Sequence, residues 1–183
     1  GIGGSFGKRY GVSSTNSVAM NGTSGWASFD FGASALRWHV VAAGTGILAS
    51  SNGGASYVAI ATDRTAGFQY FERSKSFMIA TTETNQRVLY WAGSVGTFAL
   101  TFPVGSAPAA KYSRHFQGFL FFLNDSGNGM RMTYASDTDV TTDPWTNTFQ
   151  LPGSPDDEIT GSEILGKRMY VFSKYKNYKI SHV

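Results

Sequence analysis

The run QGFLFFLNDSGNGMRMTY, Gln117 to Tyr134, decides the fold. It opens as an apolar strand, turns through NDSGNG, whose asparagines and glycines accept positive φ, and returns as a second strand that ends on an aromatic. GFLFFL is apolar at successive positions, so both faces of that strand need cover. A single hairpin is marginal in water, and sheets packed on either side of it would supply what it lacks.

The same form recurs along the chain. KSFMIATTETNQRVLYW (Lys75 to Trp91) and GKRMYVFSKYKNYKI (Gly166 to Ile180) are two further copies, and RWHVVAAGTGILA (Arg37 to Ala49) is an earlier, weaker one with Gly44 and Gly46 at its turn. Taking Val40, Phe77, Phe119 and Met169 as equivalent points, the copies stand 37, 42 and 50 residues apart. Four-stranded propeller blades repeat at about 40–50 residues. Between hairpins, TNTFQLP reads as an outer strand and EITGSEIL as an inner one leading into the next hairpin. The expected fold class is all-β, built of β-propeller-like blades of antiparallel sheet; a β-sandwich or jelly roll, or a β-helix, is the alternative. One all-β unit spans 1–183, divided into three to four blade-like repeats at about 30–66, 67–110, 111–160 and 161–183. Closed propellers have about four to eight blades, and the chain begins on glycine, so the expectation is a segment of a larger propeller in a longer chain.

Composition agrees with many short strands. Hydrophobic residues make up 42% of the chain and charged ones 15%, with 22 glycines against five prolines. No window reaches about 18 uninterrupted apolar residues, so no membrane insertion is expected. Without cysteine there is no disulfide and no thiolate metal site. The net charge of +3 is unevenly spread: seven of the twelve acids lie between 137 and 163, and five of the fifteen bases follow them. That is the pattern of a solvated acidic loop beside a basic hairpin, because the bases form no continuous nucleic-acid patch.

Several clusters invite sharper chemistry. SSNGGASY (Ser50 to Tyr57) resembles the Asp-box turn of sialidase-like propellers, with Asn52 in the aspartate place and Tyr57 in the tryptophan place; the resemblance implies a structural turn. Asp137, Asp139 and Asp143 could offer oxygens to Ca²⁺, yet the run lacks the glycine and distal glutamate of an EF-hand loop. Pro144 more simply turns Trp145 into the core. Asp156 and Asp157 could be a glycosidase pair, but adjacent strand residues point to opposite faces. His39, His115 and His182 sit near no nucleophile elbow, and Arg37, Arg64, Arg73, Arg87, Arg114, Arg131 and Arg168 show no spacing that marks a sialidase triad. Tyr170, Tyr175 and Tyr178 interleave with Lys174, Lys176 and Lys179, a mix that suits a subunit contact or a single-strand platform. No residue is assigned a catalytic, cofactor-binding or metal role, and no cofactor is expected.

From Arg114 to Ile180 the order of features resembles the β-propeller part of tail nozzle (tail tubular) proteins of short-tailed bacteriophages. The matching parts are FLFFL at 119–123, Ser136 with Asp137, Pro144 with Trp145, Phe149, Asp157 with Ile159-Thr160-Gly161, Leu165-Gly166, MYVF at 169–172, and Tyr178 with Ile180. In this light PDDEITG is the turn feeding one blade's outer strand into the next blade's inner strand: the acids solvate it, Ile159 anchors it and Gly161 permits the bend. The resemblance implies a non-enzymatic structural virion protein of the phage tail. Its partners would be itself, in a ring-shaped homo-oligomer of six copies, other tail or portal-adaptor proteins, and viral DNA passing through the channel without sequence recognition during ejection. The rival expectation is a glycan-binding or sialidase-like propeller for host attachment.

Overall fold

Short apolar runs divided by tight turns satisfy their backbone groups by pairing with neighbouring runs, and short loops make those neighbours consecutive. The computed structural model, which describes residues 23–30, 37–74, 77–84, 86–93, 108–125, 128–137, 145 and 147–181, shows this throughout. Strands β1 (Thr23–Asp30), β2 (Arg37–Ala43), β3 (Gly46–Ser50) and β4 (Val58–Ala61) form one antiparallel sheet in that order. A second holds β5 (Gln69–Ser74), β6 (Phe77–Thr82) and β7 (Leu89–Trp91). A third holds β8 (Ala110–Phe116), β9 (Phe119–Asp125), β10 (Asn128–Ser136) and β11 (Asn147–Gln150), and a fourth β12 (Ile159–Leu165), β13 (Arg168–Ser173) and β14 (Asn177–Ile180). No helix occurs among the described residues, so the protein is all-β.

Val40, Phe77, Phe119 and Met169 all lie on the second strand of their sheets, β2, β6, β9 and β13. The repeated hairpin is thus the second and third strand of each sheet, and each sheet begins one strand earlier. TNTFQLP supplies β11 and EITGSEIL supplies β12, as expected. Turn chemistry fixes the joints. Gln117 (φ 50°) and Gly118 (φ 81°) form the two-residue connection between β8 and β9, and positive φ at both central positions is what a tightly twisted hairpin of that length requires.

Burial alternates along the strands in a way that gives each inner sheet two apolar faces. Met78 and Ala80 of β6, with Leu89 and Trp91 of β7, pack on Trp38, Val40 and Ile47 of the first sheet. Ile79 and Tyr90, one residue out of step, pack on Leu120 and Phe122 of the third and on Trp145 in the connection between β10 and β11. Phe121, Leu123 and Met132 of the third sheet meet Ile159, Met169 and Val171 of the fourth. The apolar doublets of GFLFFL are explained: alternate residues serve different cores. The sheets therefore stack face to face in chain order. Their first strands converge, β1 beside β5, β5 beside β8 and β8 beside β12, while the last strands of neighbouring sheets make no comparable approach. The four sheets fan outward from a common line.

Candidate functional site: the groove along the first strands

Where the first strands converge, they enclose an open groove of about 610 Å³, lined from β1, β5, β8 and β12 and the residue ahead of β5. That volume lies within the range of about 300–1,000 Å³ typical of small-molecule sites. On β5, Phe71 turns toward the first core, which leaves Phe68, Tyr70 and Glu72 to share the face toward the third sheet. Tyr112 and Arg114 stand two apart on β8. The result is two tiers across the gap. The rings of Tyr70 and Tyr112 lie 5.0 Å apart at 56°, and Arg114 Nη1 lies 3.6 Å from Glu72 Oε2.

The ionic tier continues to the fourth sheet. Arg114 Nε donates to Ser162 Oγ at 3.3 Å, its Nη2 donates to the Ser162 carbonyl, and the same Nη2 lies 3.7 Å from Glu163 Oε2. Glu72 Oε1 accepts the backbone N–H of His115 at 3.2 Å. One guanidinium thus joins three sheets and answers two carboxylates. Burial raises the Glu72 pKa above the usual carboxyl range, against the opposing pull of Arg114. The Tyr112 hydroxyl is pushed up to about 12, chiefly by burial and secondarily by Tyr70. Chemically the groove offers an aromatic wall and, beside it, a donor and an acceptor side by side.

Other candidates have different fates. Asn52 Oδ1 accepts Ser50 Oγ–H at 2.8 Å and the Ser56 N–H at 3.1 Å, while Gly53 and Gly54 take positive φ, so SSNGGASY is a self-bonded turn between β3 and β4. Asp137 pairs with His115 Nε2 at 2.8 Å; Asp139, Asp143, Pro144 and His182 lie outside the described residues. Among the described residues no three His, Cys, Asp or Glu side chains gather as metal ligands. Trp145 is buried against Phe122, with ring centroids 4.7 Å apart. His39 is half-buried on β2.

PDDEITG joins β11 to β12, but its acids do not simply solvate the turn. Asp157 is buried, its Oδ1 accepting the Glu158 N–H at 3.0 Å and its Oδ2 accepting Ser173 Oγ–H at 3.0 Å. Glu158 holds Lys111 at 2.8 Å and Asn124 Nδ2 at 3.2 Å, and both bonds hold its pKa below the usual range. These contacts tie the linker to the third and fourth sheets. Gly161 lies within β12 itself, where the register to β13 shifts as it does at a bulge, and it lines the groove. The tyrosines at the C-terminal hairpin do not form one platform. Tyr178 packs into the third core and donates to the Pro152 carbonyl at 2.5 Å, Tyr175 is exposed beneath Lys174 Nζ, and Tyr170 pairs with Lys179 on the opposite face.

Tyr70, Glu72 and Tyr112 had no local motif to announce them. A signal was nonetheless present: Tyr70 to Tyr112 and Glu72 to Arg114 each span 42 residues, the interval that separates the second hairpin from the third. No protein-family model matches the chain, and no curated protein matches it.

Proposed function

We propose that the chain is a structural virion protein of a phage tail, part of a nozzle or tail tube, in which the four sheets are successive blades of a β-propeller. Six copies form a ring around the DNA exit channel and contact other tail or portal-adaptor proteins. The observation that supports this reading is that the described features of the Arg114–Ile180 pattern fall on the strands of the third and fourth sheets and on the turns that join them. FLFFL is the doubly covered strand β9, Phe149 lies on β11, DEITG leads into β12, MYVF is β13, and Tyr178 and Ile180 close on the third core.

The mechanism is architectural. The last strands β4, β7, β11 and β14 are only three or four residues long, so those edges are short, and the contacts of Arg114 across three sheets and of Asp157 and Glu158 from the linker resist splaying, so the unit is a stiff spacer fit for repetition about a symmetry axis. DNA passes without base-specific contact, and no residue turns over substrate. Electron microscopy of the particle that carries this chain tests the proposal. Density for these four sheets repeated in a ring on the tail axis is the expected image; the chain located on the capsid, or absent from the particle, would end the proposal.

A further inference from the structure

We infer that the groove along the first strands binds a neutral pyranose sugar, with Tyr70 and Tyr112 as its stacking wall and Glu72, Arg114 and Ser162 reading its hydroxyls. The inference goes beyond the tail reading and does not depend on it.

A pyranose presents C–H groups on one face and, around its edge, hydroxyls that each donate and accept. The groove has that division. Phe68 is 60% exposed and Tyr70 38% exposed at its side, an aromatic surface kept wet rather than folded into the adjoining core. The ionic tier stands two residues further along the same strands, so a ring laid on the tyrosines brings its edge toward a carboxylate acceptor and a guanidinium donor together.

Charge selects the class of sugar. Arg114 is the groove's one cation among the described residues, and Glu72 at 3.6 Å and Glu163 at 3.7 Å already answer it. A carboxylated or phosphorylated sugar would meet two carboxylates for that one guanidinium, whereas a neutral ring meets no such penalty. This departs from the sialidase-like alternative, which needs several free arginines.

The test is saturation-transfer NMR on the intact chain with D-glucose, D-galactose and N-acetyl-D-glucosamine, each at tens of millimolar, beside N-acetylneuraminic acid. Transfer to the C–H protons of at least one neutral sugar is expected, insensitive to added salt. Affinity should fall more than about tenfold in Tyr70→Ala and be unchanged in Tyr175→Ala. Amide shifts in the wild-type chain keep the test decisive if Tyr70→Ala fails to fold: they should centre on Tyr70, Glu72, Tyr112 and Arg114. The inference is overturned by no transfer to any neutral sugar, by tighter binding of N-acetylneuraminic acid, by an unchanged affinity in folded Tyr70→Ala, or by shifts confined to other strands.

Discussion

The indole of Trp38 on β2 meets that of Trp91 on β7 edge to face, with ring centroids 5.0 Å apart and planes at 81°. The two belong to different sheets, so the contact measures how the first and second sheets hold each other. Trp91 is 1% exposed and fills the centre of the first core. Trp91→Ala removes both the edge-to-face contact and the buried area, and is expected to cost about 3–5 kcal/mol. Against a domain stability of about 5–15 kcal/mol, that is a large share. Urea denaturation followed by far-UV circular dichroism would show it; a loss under about 1 kcal/mol would mean the sheets stack without depending on this pair.

The two neighbouring acids of PDDEITG should behave unlike each other. Asp157 is buried and its carboxylate accepts from Ser173 Oγ and the Glu158 N–H; Asp157→Ala removes both bonds, leaves the Glu158 N–H without this acceptor and turns Ser173 Oγ to its other acceptor, the Lys176 carbonyl at 3.1 Å, and should destabilise by about 1–3 kcal/mol. Asp156 is exposed, and Asp156→Ala should leave the unfolding midpoint where it is. Paired thermal melts decide the matter. Equal losses would contradict the picture of Asp157 as the anchor of the turn.

The hairpins were legible in the sequence because their information is local: an apolar run, a glycine or asparagine at the bend, another apolar run. Gly44 at φ 59° sits at such a bend. The role of Asp157 was not legible, since its partner Ser173 lies sixteen residues on, across a strand and a turn. The groove was legible only through the repeat. Tyr70 and Tyr112 carry no motif, and nothing in either neighbourhood says that first strands converge; that is a relation between separate sheets, β1 beside β5, β5 beside β8 and β8 beside β12. Aligning the second and third units at their 42-residue interval places tyrosine on tyrosine and Glu72 on Arg114.

Glu72 should leave a signature in the pH dependence of stability. Burial raises its folded-state pKa above that of the unfolded chain, so the folded state holds the proton more tightly. Its contribution is full below the unfolded pKa and is lost as pH rises through the folded one. Glu158 runs the other way: bonded by Lys111 and Asn124, its depressed pKa supports the fold above the unfolded value and fails on acidification. Glu72→Gln isolates the first effect, because the amide oxygen can still accept the His115 N–H. Relative to wild type, the variant should gain stability as pH goes from about 4 to about 7. A difference curve that is flat, or that slopes downward, would show that Arg114 fully offsets the burial of the carboxyl.

Two glycines line the groove, and only one of them is required to be glycine. Gly25 on β1 lies against β5 so closely that an added Cβ would stand 2.4 Å from the Gln69 carbonyl oxygen and 3.3 Å from the Phe71 ring. The carbonyl belongs to backbone and cannot rotate aside, so Gly25→Ala must push β1 off β5 and strain the first core, at a cost of about 1–3 kcal/mol. Gly161 on β12 faces open space, with nothing within 4 Å of such a Cβ and no positive φ to satisfy. Gly161→Ala is therefore expected to change stability by no more than about 0.5 kcal/mol. Denaturation midpoints of the two variants test the geometry of convergence directly. If Gly25→Ala were as harmless as Gly161→Ala, β1 and β5 would not approach as described, and the groove would lose the wall that β1 provides.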